Sequence, residues 1–302
     1  MTRVLGDADV LAHGLADEVV RLMRDALAAA HRWELHGPAR TWLELGAARF
    51  AVTAGAVHGG DAGFRVYGGW GPGSDQLTAL WNAAGRLDAV VLGSALASMR
   101  TGALGGAAVE LLARPDSRRL AVIGTGTVAW WQLWASIGRR PFDEVRVFSR
   151  DAARRDAFAA RVSGELGVAA TAAASAEDAV RDADVVIVST TSRTPVIDAA
   201  WLAPGAHVSS TGPKFLGGSE VPEDLVARAD LVVSDSPQQA HGDREPWFSQ
   251  RPLTHLGAVV AGELAARHGD ADLTVYCSTG LAGTEVLLAR HILERVERVA
   301  TA

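Results

Sequence analysis

The chain has 302 residues, 48% apolar and 21% charged, which suffices for two modest domains or one large one, with no need of a disulfide or metal staple. A net charge of −6 argues against a nucleic-acid partner, and a single cysteine, Cys277, rules out an intrachain disulfide and fits a reducing cytoplasm. No run approaches the roughly 20 apolar residues of a membrane span, and the first residues, Met1 to Asp7, lack the apolar run of a signal peptide. The expectation is therefore a soluble cytoplasmic protein with no membrane partner.

In chain order, residues 8–30 place Val10, Leu11, Leu15, Val19, Val20, Leu22, Met23 and Leu27 at helical spacing and predict one amphipathic helix. Gly37-Pro38 breaks it. Residues 41–67 and 87–93 read as short strands joined by glycine-rich turns, including Gly59 to Gly63 and Gly68 to Gly73. Residues 94–113 read as a helix that stops before Pro115, because the residue preceding a proline disfavours helical geometry. From residue 120 the pattern changes to continuous apolar runs separated by helical segments: Leu120–Ile123, Val145–Phe148, Val185–Val188, His207–Thr211 and Leu231–Val233. Such runs suit strands buried on both faces of a parallel sheet, and the alternation implies a doubly wound α/β domain. A helix is expected over 255–266, a strand over 272–277 and a long final helix over 279–299. Nine tryptophans against two tyrosines are read as core and interface packing, with a hydrophobic pocket as the sharper alternative.

Between the first apolar run and a helical segment stands Gly124-Thr125-Gly126-Thr127-Val128-Ala129, a GxGxxA turn. In that context it implies a dinucleotide site: Gly124 for the tight turn, Gly126 for approach of the backbone to a pyrophosphate, Ala129 for close packing of helix on strand. The helix start offers free amides and a positive dipole end. The second run ends in Ser149-Arg150, where an NAD site would carry an acid for the ribose 2′-hydroxyl. A hydroxyl followed by a cation favours NADP(H) over NAD(H). Ser189, Thr190 and Thr191 end the next run and are expected to border the cofactor.

The chain resembles the ornithine cyclodeaminase/mu-crystallin family. The resemblance rests on Met99-Arg100-Thr101-Gly102-Ala103, the GxGxxA turn, Ala183-Asp184-Val185-Val186, Trp201 to His207, and Thr274 to Ala282, in that order. The apolar runs and the GxGxxA turn already mark residues 118–235 as a Rossmann-type dinucleotide-binding domain, and the resemblance implies that this doubly wound sheet, residues 114–275, is inserted into a second α+β domain. That second domain, residues 1–113 plus 276–302, would bind substrate and form a homodimer, with the active site in the cleft. It also implies a nicotinamide cofactor and a small imino- or amino-acid substrate. Arg100 would hold the substrate carboxylate, with Arg40 as a second such arginine, and Thr101 would touch a cofactor phosphate. A planar guanidinium suits carboxylates.

Two departures from the family pattern matter. Arg65, in Gly63-Phe64-Arg65, stands where the family usually has lysine; its high pKa suits binding or polarising substrate rather than proton transfer. Gly212-Pro213-Lys214 puts a cation where cyclodeaminases carry an aspartate. Lys214, Glu285 or water are the open choices for a proton donor to nitrogen, and an ordinary helix-face carboxylate is the plainer reading of Glu285. His58 is read as a loop histidine, His255 as structural and Cys277 as an inert buried thiol. No metal-ligand spacing stands out. Together these features imply an NADP(H)-dependent oxidoreductase of a carbon–nitrogen bond, an imine or ketimine reductase or amino-acid dehydrogenase. The alternatives are a cyclodeaminase recycling its NAD, and a non-catalytic NADP-binding protein.

Overall fold

The computed structural model describes residues 1–46, 48–68, 75–215, 217–242 and 253–301. The glycine-rich turn expected around Trp70 lies outside the described residues. Two compact units form, Met1–Arg100 with Gly280–Ala302, and Thr101–Thr279.

The first unit carries a seven-stranded sheet. Its strands run in the order Arg3–Leu5, Leu87–Leu92, Gln76–Trp81, Ala62–Gly68, Ala48–Val57, Leu35–His36, with Thr41–Leu45 also paired to Ala48–Val57. All neighbours are antiparallel except Arg3–Leu5 beside Leu87–Leu92. The helix Thr284–Thr301 lies on four of these strands and meets Ala16–His31 and Asp7–His13. Val19, Val20, Met23, Ala26 and Leu27 recur at helical spacing and are buried, which fixes the inward face of Ala16–His31. The single helix expected over 8–30 is in fact two. Gly14 leaves helical geometry at φ −83°, ψ 98°, and a Cβ there would overlap the Met99 side chain.

The second unit is an eight-stranded, all-parallel sheet in the order Ala169–Ala172, Glu144–Phe148, Arg119–Ile123, Val185–Val188, His207–Ser210, Thr274–Cys277, Leu231–Ser234, Thr254–His255. Alternate residues of each strand feed opposite cores. Leu120 and Val122 join Val145, Val147, Leu133 and Phe158 on one face. Ala121 and Ile123 join Val186, Val188 and Val208 on the other. The chain starts at the centre with Arg119–Ile123, winds outward to one edge, and returns at Val185–Val188 on the other side. That reversal is where doubly wound sheets bind ligands.

The helix Ala95–Leu112 is anchored at its end by two guanidiniums. Arg140 donates to the carbonyls of Glu110 and Ala113 at 2.6 and 2.8 Å, and Arg267 donates to that of Leu112 at 2.6 Å. These satisfy carbonyls that a helix terminus leaves open. The tryptophans of the helix Thr127–Ser136 serve packing. Trp130 is buried, meets Phe158 edge to face, and carries the Arg161 guanidinium 3.5 Å from its ring centroid.

Two further expectations change, and one strand is not foreseen. The helix predicted over 255–266 is only Leu256–Val260, followed by a turn with Gly262 at φ +74°. The final helix begins at Thr284 rather than 279, because Gly280 and Gly283 adopt φ +88° and +90°. The strand Ala169–Ala172 escapes an apolar-run search because it is built of alanine and threonine.

Candidate functional site

In the second unit the strand Arg119–Ile123 delivers Gly124 at φ +113°, a conformation L side chains avoid, and a Cβ there would overlap the Ser189 carbonyl. The Gly124 amide donates to Phe148 O at 2.9 Å. Gly126 caps the helix Thr127–Ser136, and a Cβ on it would meet nothing within 4 Å. Gly126 and Thr127 are exposed, Thr125 and Val128 half-buried, and Ala129 is buried against the sheet. The turn thus presents bare main chain and a ten-residue helix start to open space. Thr101 sits half-buried in the helix Ala95–Leu112.

At the end of the next strand, Ser149 Oγ donates to Asp151 O at 3.0 Å. Asp151 itself is spent as a helix cap, accepting from Arg154 N at 3.0 Å. Arg150 is exposed and makes no hydrogen bond or ion pair among the described residues. Arg155 lies nearby with its carbon 5.6 Å from the Phe148 ring centroid.

On the other side of the switch, Thr211 Oγ1 donates to Ser189 Oγ at 2.8 Å, and Thr191 is exposed. Glu220 gathers the rest of this region. Its carboxylate accepts from Thr190 N, Thr190 Oγ1, Ser210 Oγ and Gly212 N. The sequence reading missed it, since a lone glutamate beyond a hairpin carries no local signal. Lys214 opens that hairpin, Lys214–Phe215 against Gly218–Ser219. Its ammonium donates to Gly212 O at 2.6 Å and Ser210 O at 3.2 Å, so it is fixed and not a solvated loop lysine. Cys277 is buried, which pushes its thiol up to about 11, in keeping with an inert role. His255 caps the helix Leu256–Val260 by accepting from Gly257 N.

The first unit gathers charge from distant parts of the chain. Arg65 lies mid-strand in Ala62–Gly68, Arg100 in the first turns of Ala95–Leu112, and Glu285 at the start of Thr284–Thr301. Arg100 Nη2 donates to Glu285 Oε1 at 2.7 Å, and Arg65 Nη1 reaches the same oxygen at 3.4 Å. Arg65 is held further by Gln76 Oε1, at 2.6 Å from Nη2, and by the Tyr67 ring, 4.0 Å from its carbon. Gln76 and Tyr67 are partners the sequence reading did not name. Arg40 lies near the same rings, 5.5 Å from Trp42 and 6.0 Å from Tyr67. A Cβ on Gly280 would come within 3.2 Å of Arg40 Nη2 and 3.5 Å of Arg100 Nη1, so both guanidiniums crowd one glycine.

Arg100 and Glu285 are 4% and 3% exposed, so Glu285 is no ordinary helix-face carboxylate. Burial alone would push the Glu285 carboxyl up, but Arg100 and Arg65 outweigh it and hold it below its usual range. Burial lowers the Arg65 guanidinium from its ordinary value, against the raising effect of Glu285. Arg100 Nε and Nη1 are buried without a hydrogen-bond partner among the described residues. Unmet N–H groups on a buried guanidinium leave room for a further hydrogen-bond acceptor. His58 packs instead against His36, ring centroids 6.5 Å apart. Among the described residues no helix is long and apolar enough to cross a membrane, and no cluster of metal-binding side chains occurs.

The chain belongs to the ornithine cyclodeaminase/mu-crystallin family, whose model matches residues 78–299. It is 33% identical over 220 residues to a delta(1)-pyrroline-2-carboxylate reductase of Bacillus cereus, covering 70% of this chain and 67% of that one. Among solved structures it is similar to a probable ornithine cyclodeaminase of Bordetella pertussis Tohama I, with TM-score 0.92, 25% identity, and 99% and 98% of the two chains covered. It is also similar to an archaeal alanine dehydrogenase dimer with bound NAD, with TM-score 0.88, 25% identity, and 99% and 97% covered.

Proposed function

We propose that this enzyme is an NADP(H)-dependent oxidoreductase of a carbon–nitrogen bond. It reduces a carboxylate-bearing imine or ketimine or, in reverse, oxidises the corresponding amino acid. The observation that carries this reading is buried Arg100, held on one side by Glu285, with Nε and Nη1 unmet among the described residues. The likeness to a pyrroline-carboxylate reductase and to an alanine dehydrogenase supports the same bond type.

The residues of the second unit fit a dinucleotide. The open face at Gly126 and the free helix start suit phosphates, so Thr101, Gly124, Thr125, Gly126, Thr127 and Val128 are assigned to them. Ser149 and unpaired Arg150 are assigned to a 2′-phosphate, and Ser189, Thr190, Thr191 and Gly212 to the nicotinamide half. The nicotinamide, when bound, supplies the hydride.

The chain's own work is to hold and to charge. Arg100 binds the substrate carboxylate, with Arg65 and Arg40 adding positive potential beside it. Glu285 is ionised, because its pKa is held down, and so serves as the counter-ion that fixes Arg100 and Arg65 rather than as an acid. Of the two remaining donors, Lys214 and water, we assign Lys214, its ammonium held by two carbonyls, to the proton that the nitrogen takes up. We further propose a homodimer, as in the archaeal alanine dehydrogenase structure, which sedimentation equilibrium would test.

The deciding experiment is single-turnover oxidation of NADPH with a panel of cyclic imines and of 2-oxo acids mixed with amines, NADH run in parallel. Consumption of NADPH with an imino acid is the expected result. A second reading, cyclodeamination of a diamino acid, draws on the likeness to the Bordetella protein. Lys214 opposes it, standing as a cation where that chemistry uses an acid. Ammonia release with catalytic NAD and no net NADPH consumption would establish it. Silence in both assays with tight NADPH binding would point to a binding protein.

A further inference from the structure

Glu220 has no part in the reading above, yet its side chain is fully buried and both carboxylate oxygens are in use. Oε2 accepts from Thr190 N at 2.7 Å and Thr190 Oγ1 at 2.9 Å. Oε1 accepts from Ser210 Oγ at 2.7 Å and Gly212 N at 2.5 Å. Thr190 follows the strand Val185–Val188 and Gly212 follows His207–Ser210, which are neighbours in the sheet. One carboxylate therefore clamps two adjacent strand ends. The fit is close: a Cβ on Gly212 would overlap both Glu220 Oε2 and the Thr190 carbonyl.

The clamp touches both proposed functions of this region. The residue before Thr190 is Ser189, whose carbonyl lies where a Cβ on Gly124 would be. The carbonyls of Ser210 and Gly212, whose hydroxyl and amide Glu220 holds, are the ones that fix the Lys214 ammonium. A doubly wound sheet is two mononucleotide-binding halves. On the dinucleotide reading, the half with Arg119–Ile123, Glu144–Phe148 and Ala169–Ala172 is assigned to the adenosine side. The half entered at Val185–Val188 is assigned to the nicotinamide side.

We propose that Glu220 is a positioning residue for the nicotinamide half of the dinucleotide site, fixing Thr190, Gly212 and Lys214 in one network. This rests on the dinucleotide reading above. A buried carboxylate needs its hydrogen bonds met, and an amide in its place turns N–H groups toward main-chain donors, which breaks the clamp without emptying the space.

The test is calorimetric titration of the full chain and its Glu220→Gln variant. The ligands are NADPH and 2′-phospho-ADP-ribose, which lacks the nicotinamide, with NADH and ADP-ribose in parallel. The variant should bind NADPH about tenfold more weakly while its affinity for 2′-phospho-ADP-ribose changes less than about twofold. Equal weakening of both ligands, or weakening of neither, overturns the proposal. If the unmodified chain binds none of the four ligands, the dinucleotide reading itself fails and takes the proposal with it. Should Glu220→Gln not fold, Ser210→Ala removes one of the four bonds and should show the same selectivity at about threefold; an unselective loss there is equally fatal.

Discussion

The two units hold their candidate sites in different ways. In the second, the groups offered to a ligand are mostly main chain: the Gly124–Gly126 turn and the start of the helix Thr127–Ser136. In the first they are side chains: Arg65 and Arg100 meet Glu285 across 220 and 185 residues of sequence. A main-chain site is written in consecutive residues, because glycines and a strand–helix junction are enough to make it. A side-chain site exists only once sheet and helix have packed, so its members are scattered in the sequence.

If this division is right, the two sites should fail differently. Arg100→Ala should give the largest loss, about a thousandfold in kcat/KM for the imino acid, with dinucleotide affinity nearly unchanged. A matching loss of NADPH affinity would break the division. The same change leaves Glu285 buried with less compensation and should cost about 3 kcal/mol of stability or more, read by denaturant titration. Replacing both Arg100 and Glu285 by leucine should recover part of that stability and none of the activity.

Gly126→Ala probes the main-chain site. Its φ of −86° suits alanine and the added methyl meets only open space, so the melting temperature should not move. NADPH should nonetheless bind about tenfold more weakly, because the methyl stands where the pyrophosphate approaches. A fall in melting temperature would show that the turn is a packing device. Arg150→Ala should act on one cofactor alone, raising the KM for NADPH by about tenfold and that for NADH by less than about twofold. Equal effects on both would remove the basis for NADP preference.

The same contrast sets how much was legible in advance. The central strands from Arg119–Ile123 to Leu231–Ser234 show themselves as apolar runs because both faces are buried. Ala169–Ala172, at the sheet edge and mostly exposed, has no such run. Residues 255–266 look helical by composition, but only the left-handed turn at Gly262 ends the helix, and φ is not written in periodicity. Arg100, Arg65 and Lys214 were visible as departures from or matches to a family pattern. Gln76 and Tyr67 became visible only through strand pairing, which sets Gln76 opposite Tyr67 and brings both to Arg65. Glu220 required the hairpin fold-back from Lys214–Phe215 to Gly218–Ser219 before it could reach Thr190.

The effect expected to touch ligand binding least lies at the opposite end of a site-bearing strand. His207 opens the strand that ends at Ser210, is fully buried, and bonds Thr274 Oγ1 through Nδ1 at 2.9 Å while Nε2 has no partner among the described residues. Burial, reinforced by Arg267 and Arg140, pushes its pKa down to about 3 from 6.5. Between those values the unfolded chain binds a proton that the folded chain refuses. The stability this contributes is thus present above pH 6.5 and lost as pH falls toward 3, at up to about 1.4 kcal/mol per pH unit. Denaturant titrations at several pH values across that window should show the slope, and His207→Gln should flatten it by about one proton even if the variant is less stable at neutral pH. Equal slopes in the two proteins would assign the acid sensitivity elsewhere. Dinucleotide affinity, measured while the protein is still folded, should not follow the His207 titration, because the imidazole lies at the strand end away from Ser210 and Glu220.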